Sequence, residues 1–212
     1  MKFRALSLAL FIAACGTRGS GVPFYRSAAM TPEWLSPAEA NAASTHRIDE
    51  FEVVDQSGVA LTNAALGGRI TVAHFFFTRC GDVCPITVRN VQHLLDSLPR
   101  NQVVQVLSYS VTPSADSVAT LRAYAMQHQI ADRRWHLVTG DPARLHDLAV
   151  NSYFVRLGAD STYGGASIAH TESLVLVDGQ RRIRGVYAGT LQLEMDRLRE
   201  DIRTLTTEHA ER

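Results

Sequence analysis

The run RITVAHFFF, residues 69–77, admits few architectures. Its β-branched and aromatic side chains fill both alternating faces, so a strand here has no face to give to water. Such a strand belongs inside a sheet covered on both sides. Directly after it come Cys80 and Cys84, in the stretch TRCGDVCPIT, with Pro85 next. Proline suits the first turn of a helix, where its missing N–H costs nothing. Val88, Val91, Leu95 and Leu98 then recur at helical spacing until Pro99 ends the element.

The rest of the chain continues the alternation. RIDEFEVVD, residues 47–55, reads as a strand with Gly58 in a turn after it, and VVQVLSYSV, residues 103–111, as another central strand. A helix over 114–129 carries Val118, Leu121, Ala125 and His128 on one stripe. WHLVTG is a short strand, and Asp141-Pro142 opens a helix holding Leu145, Leu148 and Ala149. Residues 157–169 form a loop. Residues 171–189 read as two strands joined at Asp178-Gly179, a good hairpin pair. The last helix shows Leu191, Met195, Leu198, Ile202 and Leu205 on one face. A buried β-α-β-α core followed by a hairpin and a closing helix is the thioredoxin order of elements. The fold expected is α/β, thioredoxin-like, with a central mixed sheet flanked by helices that right-handed crossovers carry to both faces.

The N-terminus reads as a targeting segment. Lys2 and Arg4 precede ALSLALFIAA, an apolar run too short to span a bilayer as a stable helix, and small residues lead into Cys15. This resembles a bacterial lipoprotein signal, with residues 1–14 removed and Cys15 lipidated; a plain secretory signal with an incidental cysteine is the alternative. The expected location is extracytoplasmic and membrane-anchored, on the periplasmic side in a Gram-negative cell, where thiols can be oxidised. Residues 15–45, rich in Gly, Ser, Pro and Ala, read as a tether, with Phe24, Tyr25 and Trp34 docking on the domain surface. The folded domain is expected over 46–207, with a tail at 208–212. A length of 212 residues suits one domain plus such a segment. The formal net charge of zero leaves no electrostatic footprint for nucleic acid.

Three uses fit the cysteine pair: a structural crosslink, a redox dithiol and a metal clamp. Its address favours the last two. Ligand sites in open α/β sheets lie at the carboxyl ends of strands, and the N–H groups of a helix start stabilise a thiolate. The pair is C-x-x-x-C, one residue longer than the C-x-x-C of many thiol oxidoreductases of this fold. That loop can still close a disulfide, and it opens the bite between sulfurs in favour of a metal. Two thiolates are soft donors suited to Cu(I) or zinc. If Cys15 carries lipid, Cys80 and Cys84 have only each other within the chain. Of the eight histidines, His74 reads as a satisfied core or edge residue, and His93, His128 and His146 as helix-face residues. His136 follows Trp135 on a strand, and His46 and His209 flank the domain. His170 ends a Gly-rich loop and opens a hairpin strand, which the topology sets beside the cysteine loop. It is the leading candidate for a third ligand, in a trigonal S₂N site able to hold copper in either oxidation state.

FFFTRCGDVCP, WHLVTGD and IAHTESLVLVD resemble the Sco/SenC family of copper-binding thioredoxin-fold proteins, from about Ile48 to Leu205. The resemblance implies that Cys80, Cys84 and His170 are copper ligands. It also implies a membrane-tethered metallochaperone that helps deliver copper to the CuA centre of cytochrome c oxidase, or keeps its cysteines reduced. The partner implied is the copper-bearing oxidase subunit or another copper protein. A thiol-disulfide oxidoreductase that reduces partner cysteines or senses redox state, with Cys80 and Cys84 as redox pair, is the alternative. A peroxidase is disfavoured, because Thr78 and Arg79 crowd Cys80 where a peroxiredoxin has T-x-x-C. The chain departs from the family pattern at Gly81, Arg79, Thr112 and Ala169, while Pro113 and Asp116 of the D-P-x-x-D loop remain. Asp82 reads as a partner contact or loop hydrogen bond.

Overall fold

The computed structural model describes residues 21–81, 83–100, 103–155 and 172–210. Its strands are β1 (Glu52–Asp55), β2 (Ala60–Thr62), β3 (Ile70–Phe76), β4 (Val104–Ser110), β5 (Trp135–Thr139), β6 (Ser173–Val177) and β7 (Ile183–Ala188). They form a 7-stranded sheet in the order β2-β1-β5-β4-β3-β6-β7. The pairs β3–β4 and β4–β5 are parallel; β3–β6, β6–β7, β1–β5 and β1–β2 are antiparallel. This is the expected mixed thioredoxin-like sheet. The helices are α1 (Pro37–Asn41), α2 (Val83–Ser97), α3 (Val118–Gln127), α4 (Pro142–Asp147) with a π turn at Leu148–Ser152, and α5 (Gln192–Ala210).

The strand period of two divides the interior into two cores. Ile70, Val72 and Phe76 of β3 face one side, joined there by Val106, Leu137, Leu174 and the apolar stripes of α2, α3 and α5. Ala73 and Phe75 face the other, with Leu107, Tyr109, Val138, Leu145 of α4 and Leu148 of the π turn. Every residue of β3 and of β4 is buried, the polar Thr71, His74, Gln105, Ser108 and Ser110 among them. Polar atoms on these faces are matched: Trp135 Nε1 donates to Ser108 Oγ at 2.9 Å, and Ser108 Oγ lies 3.4 Å from His74 Nδ1. His74 is therefore a satisfied core residue in the heart of the sheet.

Three boundaries differ from expectation. The first strand covers Glu52–Asp55, not 47–55; Ile48 instead buries its side chain and donates its N–H to Arg181 O at 2.8 Å. A short strand, β2, pairs with β1 where only a turn was expected. Helix α3 begins at Val118, not at 114, because Ser117 caps it by accepting from Thr120 N, while residues 112–116 form a turn that sends Asp116 inward.

Residues 21–45, whose composition marks a tether, lie against the domain. Phe24 N donates to Glu33 O at 2.8 Å and Tyr25 N to Ile183 O at 3.0 Å. Ser36 and Glu39 form a capping box at the start of α1. The Phe24 ring is covered by Arg184 and Arg182, whose guanidinium carbons lie 4.0 and 4.9 Å from its centroid. Asp178 pairs with both arginines, and these donate to Val22 O and Ala40 O. Val22 and Phe24 are buried; Trp34 stays 49% exposed, its Nε1 donating to Gly21 O.

Candidate metal centre

Strands β3 and β4 end side by side, and Val111 N extends their pairing by donating to Phe76 O at 2.9 Å. Two loops leave this edge. The first turns at residues 77–80, with Cys80 N donating to Phe77 O at 3.2 Å, and enters α2. The second runs through Thr112 and Asp116 into α3. Both sit at the carboxyl end of a parallel strand pair, where open α/β sheets place their ligands.

Asp116 fastens the two loops together. Its carboxylate is buried and accepts from Thr78 Oγ1 at 2.5 Å, Ser110 Oγ at 2.6 Å, Thr112 Oγ1 at 2.9 Å and Thr78 N at 3.4 Å. Four donors on one carboxylate satisfy it without a cation. The polypeptide entering the cysteine motif is thus held at Thr78 by a fixed group of the neighbouring loop.

Cys84 is the second residue of α2 and 0% exposed; Cys80, on the loop before it, is half-buried and packs against the same core. Both are thiols, with no disulfide joining them. Phe76 and Tyr124 pack on this side, their ring centroids 5.4 Å apart. Burial pushes the Tyr124 hydroxyl far above its ordinary value, and the electrostatic influence of Cys84, Cys80 and Asp116 adds to it.

The remaining described histidines are used elsewhere. His46 Nε2 meets Ser152 O at 2.7 Å, His136 Nδ1 meets Asp55 Oδ2 at 3.1 Å, and the His128 ring lies against Tyr124. His93, His146 and His209 are on exposed helix faces. Among the described residues, no group of three or more His, Cys, Asp or Glu is placed to hold a metal ion. The two thiols supply soft donors that fit Cu(I). His170, Cys15 and Asp82 lie outside the described residues, as does the expected loop at 157–169.

Two residues of this region escaped the sequence reading as functional parts. Asp116 was visible only as a remnant of a loop pattern. Tyr124 lies beside Leu121 and Ala125 on the buried stripe of α3, where a tyrosine among apolar neighbours was the available signal.

The architecture has close relatives of solved structure. A SCO1/SenC family lipoprotein from Bacillus anthracis str. Ames superposes with a TM-score of 0.66 at 23% identity, covering 76% of this chain and 95% of that one. Bradyrhizobium japonicum ScoI, solved with copper bound, gives 0.61 at 25% identity, covering 74% and 98%. BsSco, a member of the Sco family of cytochrome c oxidase assembly proteins in which a disulfide switch was identified, gives 0.66 at 22% identity, covering 76% and 94%. The SCO1/SenC family model matches residues 39–207, and the chain belongs to that family.

Proposed function

We propose that this protein is an extracytoplasmic, membrane-tethered copper chaperone that serves assembly of the CuA site of cytochrome c oxidase. Cys80, Cys84 and His170 hold the metal, and a lipid on Cys15 supplies the tether. The observation that carries this reading is the pair of thiols at the start of α2, on the loop leaving β3, in a chain of the SCO1/SenC family. The copper-bound Bradyrhizobium relative supports the cargo, and the oxidase-assembly description of BsSco supports the client. The Bacillus anthracis lipoprotein supports the anchor, and no helix among the described residues is long and apolar enough to cross a membrane.

Support for His170 comes from Glu172, two positions later. Glu172 O accepts from Gly189 N at 2.6 Å, and its carboxylate accepts from Thr190 Oγ1 at 2.9 Å. Gly189 O in turn accepts from Asn90 Nδ2 of α2 at 2.8 Å. Helix α2, which carries Cys84 in its first turn, is thereby tied to the residues entering β6. Two residues of chain span at most about 7 Å, a reach compatible with a third ligand contributed from position 170.

The test is Cu(I) titration of the wild type against His170→Ala. The reading predicts about one copper per chain in the wild type, and binding at least tenfold weaker in an unaltered fold for the variant. Equal affinity in the two proteins would remove His170 from the site.

A thiol-disulfide reductase is the second reading, favoured by the asymmetry of the pair. A half-buried Cys80 before a fully buried Cys84 gives one sulfur that a partner can reach and one that can resolve a mixed disulfide. That activity would be indifferent to His170→Ala. The two readings share one requirement, because copper loading needs both thiols reduced.

A further inference from the structure

The Tyr124 hydroxyl is a buried oxygen that forms no hydrogen bond among the described residues. Tyr124 is 5% exposed and belongs to the same core as Cys84, with Cys80 packed against that core. A hydroxyl without a partner in such a place is unfavourable by roughly 1–3 kcal/mol, so its retention calls for a use.

The acceptors nearby narrow that use. Asp116 lies close enough to act on the hydroxyl electrostatically, yet its carboxylate already takes bonds from Thr78, Ser110 and Thr112. Among the described residues, the sulfurs of Cys84, in the same core as Tyr124, and of Cys80, packed against that core, are further acceptors on this side. A neutral thiol is a weak acceptor. A thiolate, free or metal-bound, is a strong one, and hydrogen bonds to a ligating sulfur tune the metal it holds.

We propose that Tyr124 is a positioning residue for the copper site: its hydroxyl is held in reserve in the dithiol protein and donates to a cysteine sulfur once that sulfur becomes a metal-bound thiolate. The proposal rests on the copper reading of the site given above. On loading with Cu(I), the two thiols lose their protons to solvent, two sulfur–metal bonds form, and the Tyr124 O–H gains the partner it lacked. The loaded state is stabilised by that bond, and the metal-free state is left with the unmet hydroxyl.

This arrangement gives opposite signs in two measurements on Tyr124→Phe. In the metal-free protein, removing an unpartnered hydroxyl while keeping the ring on Phe76 raises the melting temperature by about 2–4 °C. In the same variant, competition against a chromophoric Cu(I) chelator shows affinity lowered about tenfold or more. With Cu(II) loaded, loss of the hydrogen bond raises the energy of the sulfur lone pair, so the thiolate-to-copper charge-transfer band moves to longer wavelength. A purely structural hydroxyl gives the reverse pattern, a lowered melting temperature with affinity and band position unchanged, and that result overturns the proposal. Failure of the variant to fold counts as the same result. If the wild type itself takes up no Cu(I), the copper reading falls; if the wild type binds and Tyr124→Phe binds equally well, the role of Tyr124 alone falls.

Discussion

Thr78 Oγ1 donates to Asp116 Oδ1 at 2.5 Å, and this contact fastens the loop that carries the cysteines to the loop that follows β4. Neither residue is a sulfur or nitrogen donor, yet together they fix where the entry to α2 begins. In the proposed copper site, part of the metal affinity would rest on oxygen atoms that never touch the metal.

Thr78→Val and Asp116→Asn test that connection. Asp116→Asn leaves one oxygen for hydroxyl donors that now use two, and turns an amide toward the others. We expect each single variant to lower stability by about 1–3 kcal/mol, with the double variant less destabilised than the sum because both remove one bond. Urea unfolding of the four proteins measures the coupling. Both single variants should also bind Cu(I) more weakly than wild type.

Phe24→Ala tests the docking of the N-terminal segment. The ring is buried and covered by Arg182 and Arg184. Removing it costs about 3 kcal/mol or more, readable as a lower urea midpoint at unchanged slope. An unchanged midpoint would mean that residues 21–25 contribute nothing to the folded domain.

The difference between what the sequence announced and what it hid has a physical pattern. Residues 69–77 and 103–111 announced β3 and β4 because a strand buried on both faces carries mostly β-branched and aromatic side chains on both, and that is a local property. Val88, Val91, Leu95 and Leu98 announced α2 for the same reason at helical period. The position of the cysteines between them followed directly. Hidden were features that depend on distant partners. Phe24 was legible as an aromatic that docks from a Gly- and Ser-rich stretch, but the arginines that bury it lie beyond residue 180. Asp116 cut α3 short by turning inward toward Thr78, which no periodicity could reveal. The short strand β2 has the burial pattern of an edge, too brief to carry a signal.

Gly189→Ala tests the tie between the start of β6 and α2. A Cβ at this position would meet Thr87 Cγ2 at 2.8 Å and Glu172 O at 2.9 Å, closer than such contacts allow. The entry to β6 must then move away from α2. We expect a loss of about 1–3 kcal/mol in stability and weaker Cu(I) binding, since the displaced residues directly follow position 170. Calorimetry and a chelator competition check the two effects.

Asp132 supplies a pH dependence. Hydrogen bonds from Arg134 hold its carboxyl below the usual range, against a smaller opposing effect of burial. A lowered carboxyl value means that its contribution to stability is complete above the unfolded-state value and is lost as pH falls through the folded-state value. Asp132→Asn should therefore be less stable than wild type at neutral pH, with the gap closing only in strongly acid solution. Arg134 also donates to Leu95 O and Pro99 O, so the end of α2 loosens with it. Thermal melts of both proteins across acid pH read the gap directly.

The central claim is that two neighbouring sulfurs and one distant imidazole share a single copper ion. X-ray absorption at the copper edge of the Cu(I)-loaded protein measures this most directly. The account predicts a first shell of two sulfurs and one nitrogen in the wild type, with the nitrogen contribution lost in His170→Ala. A wild-type shell without nitrogen, or a nitrogen that survives the substitution, would contradict it.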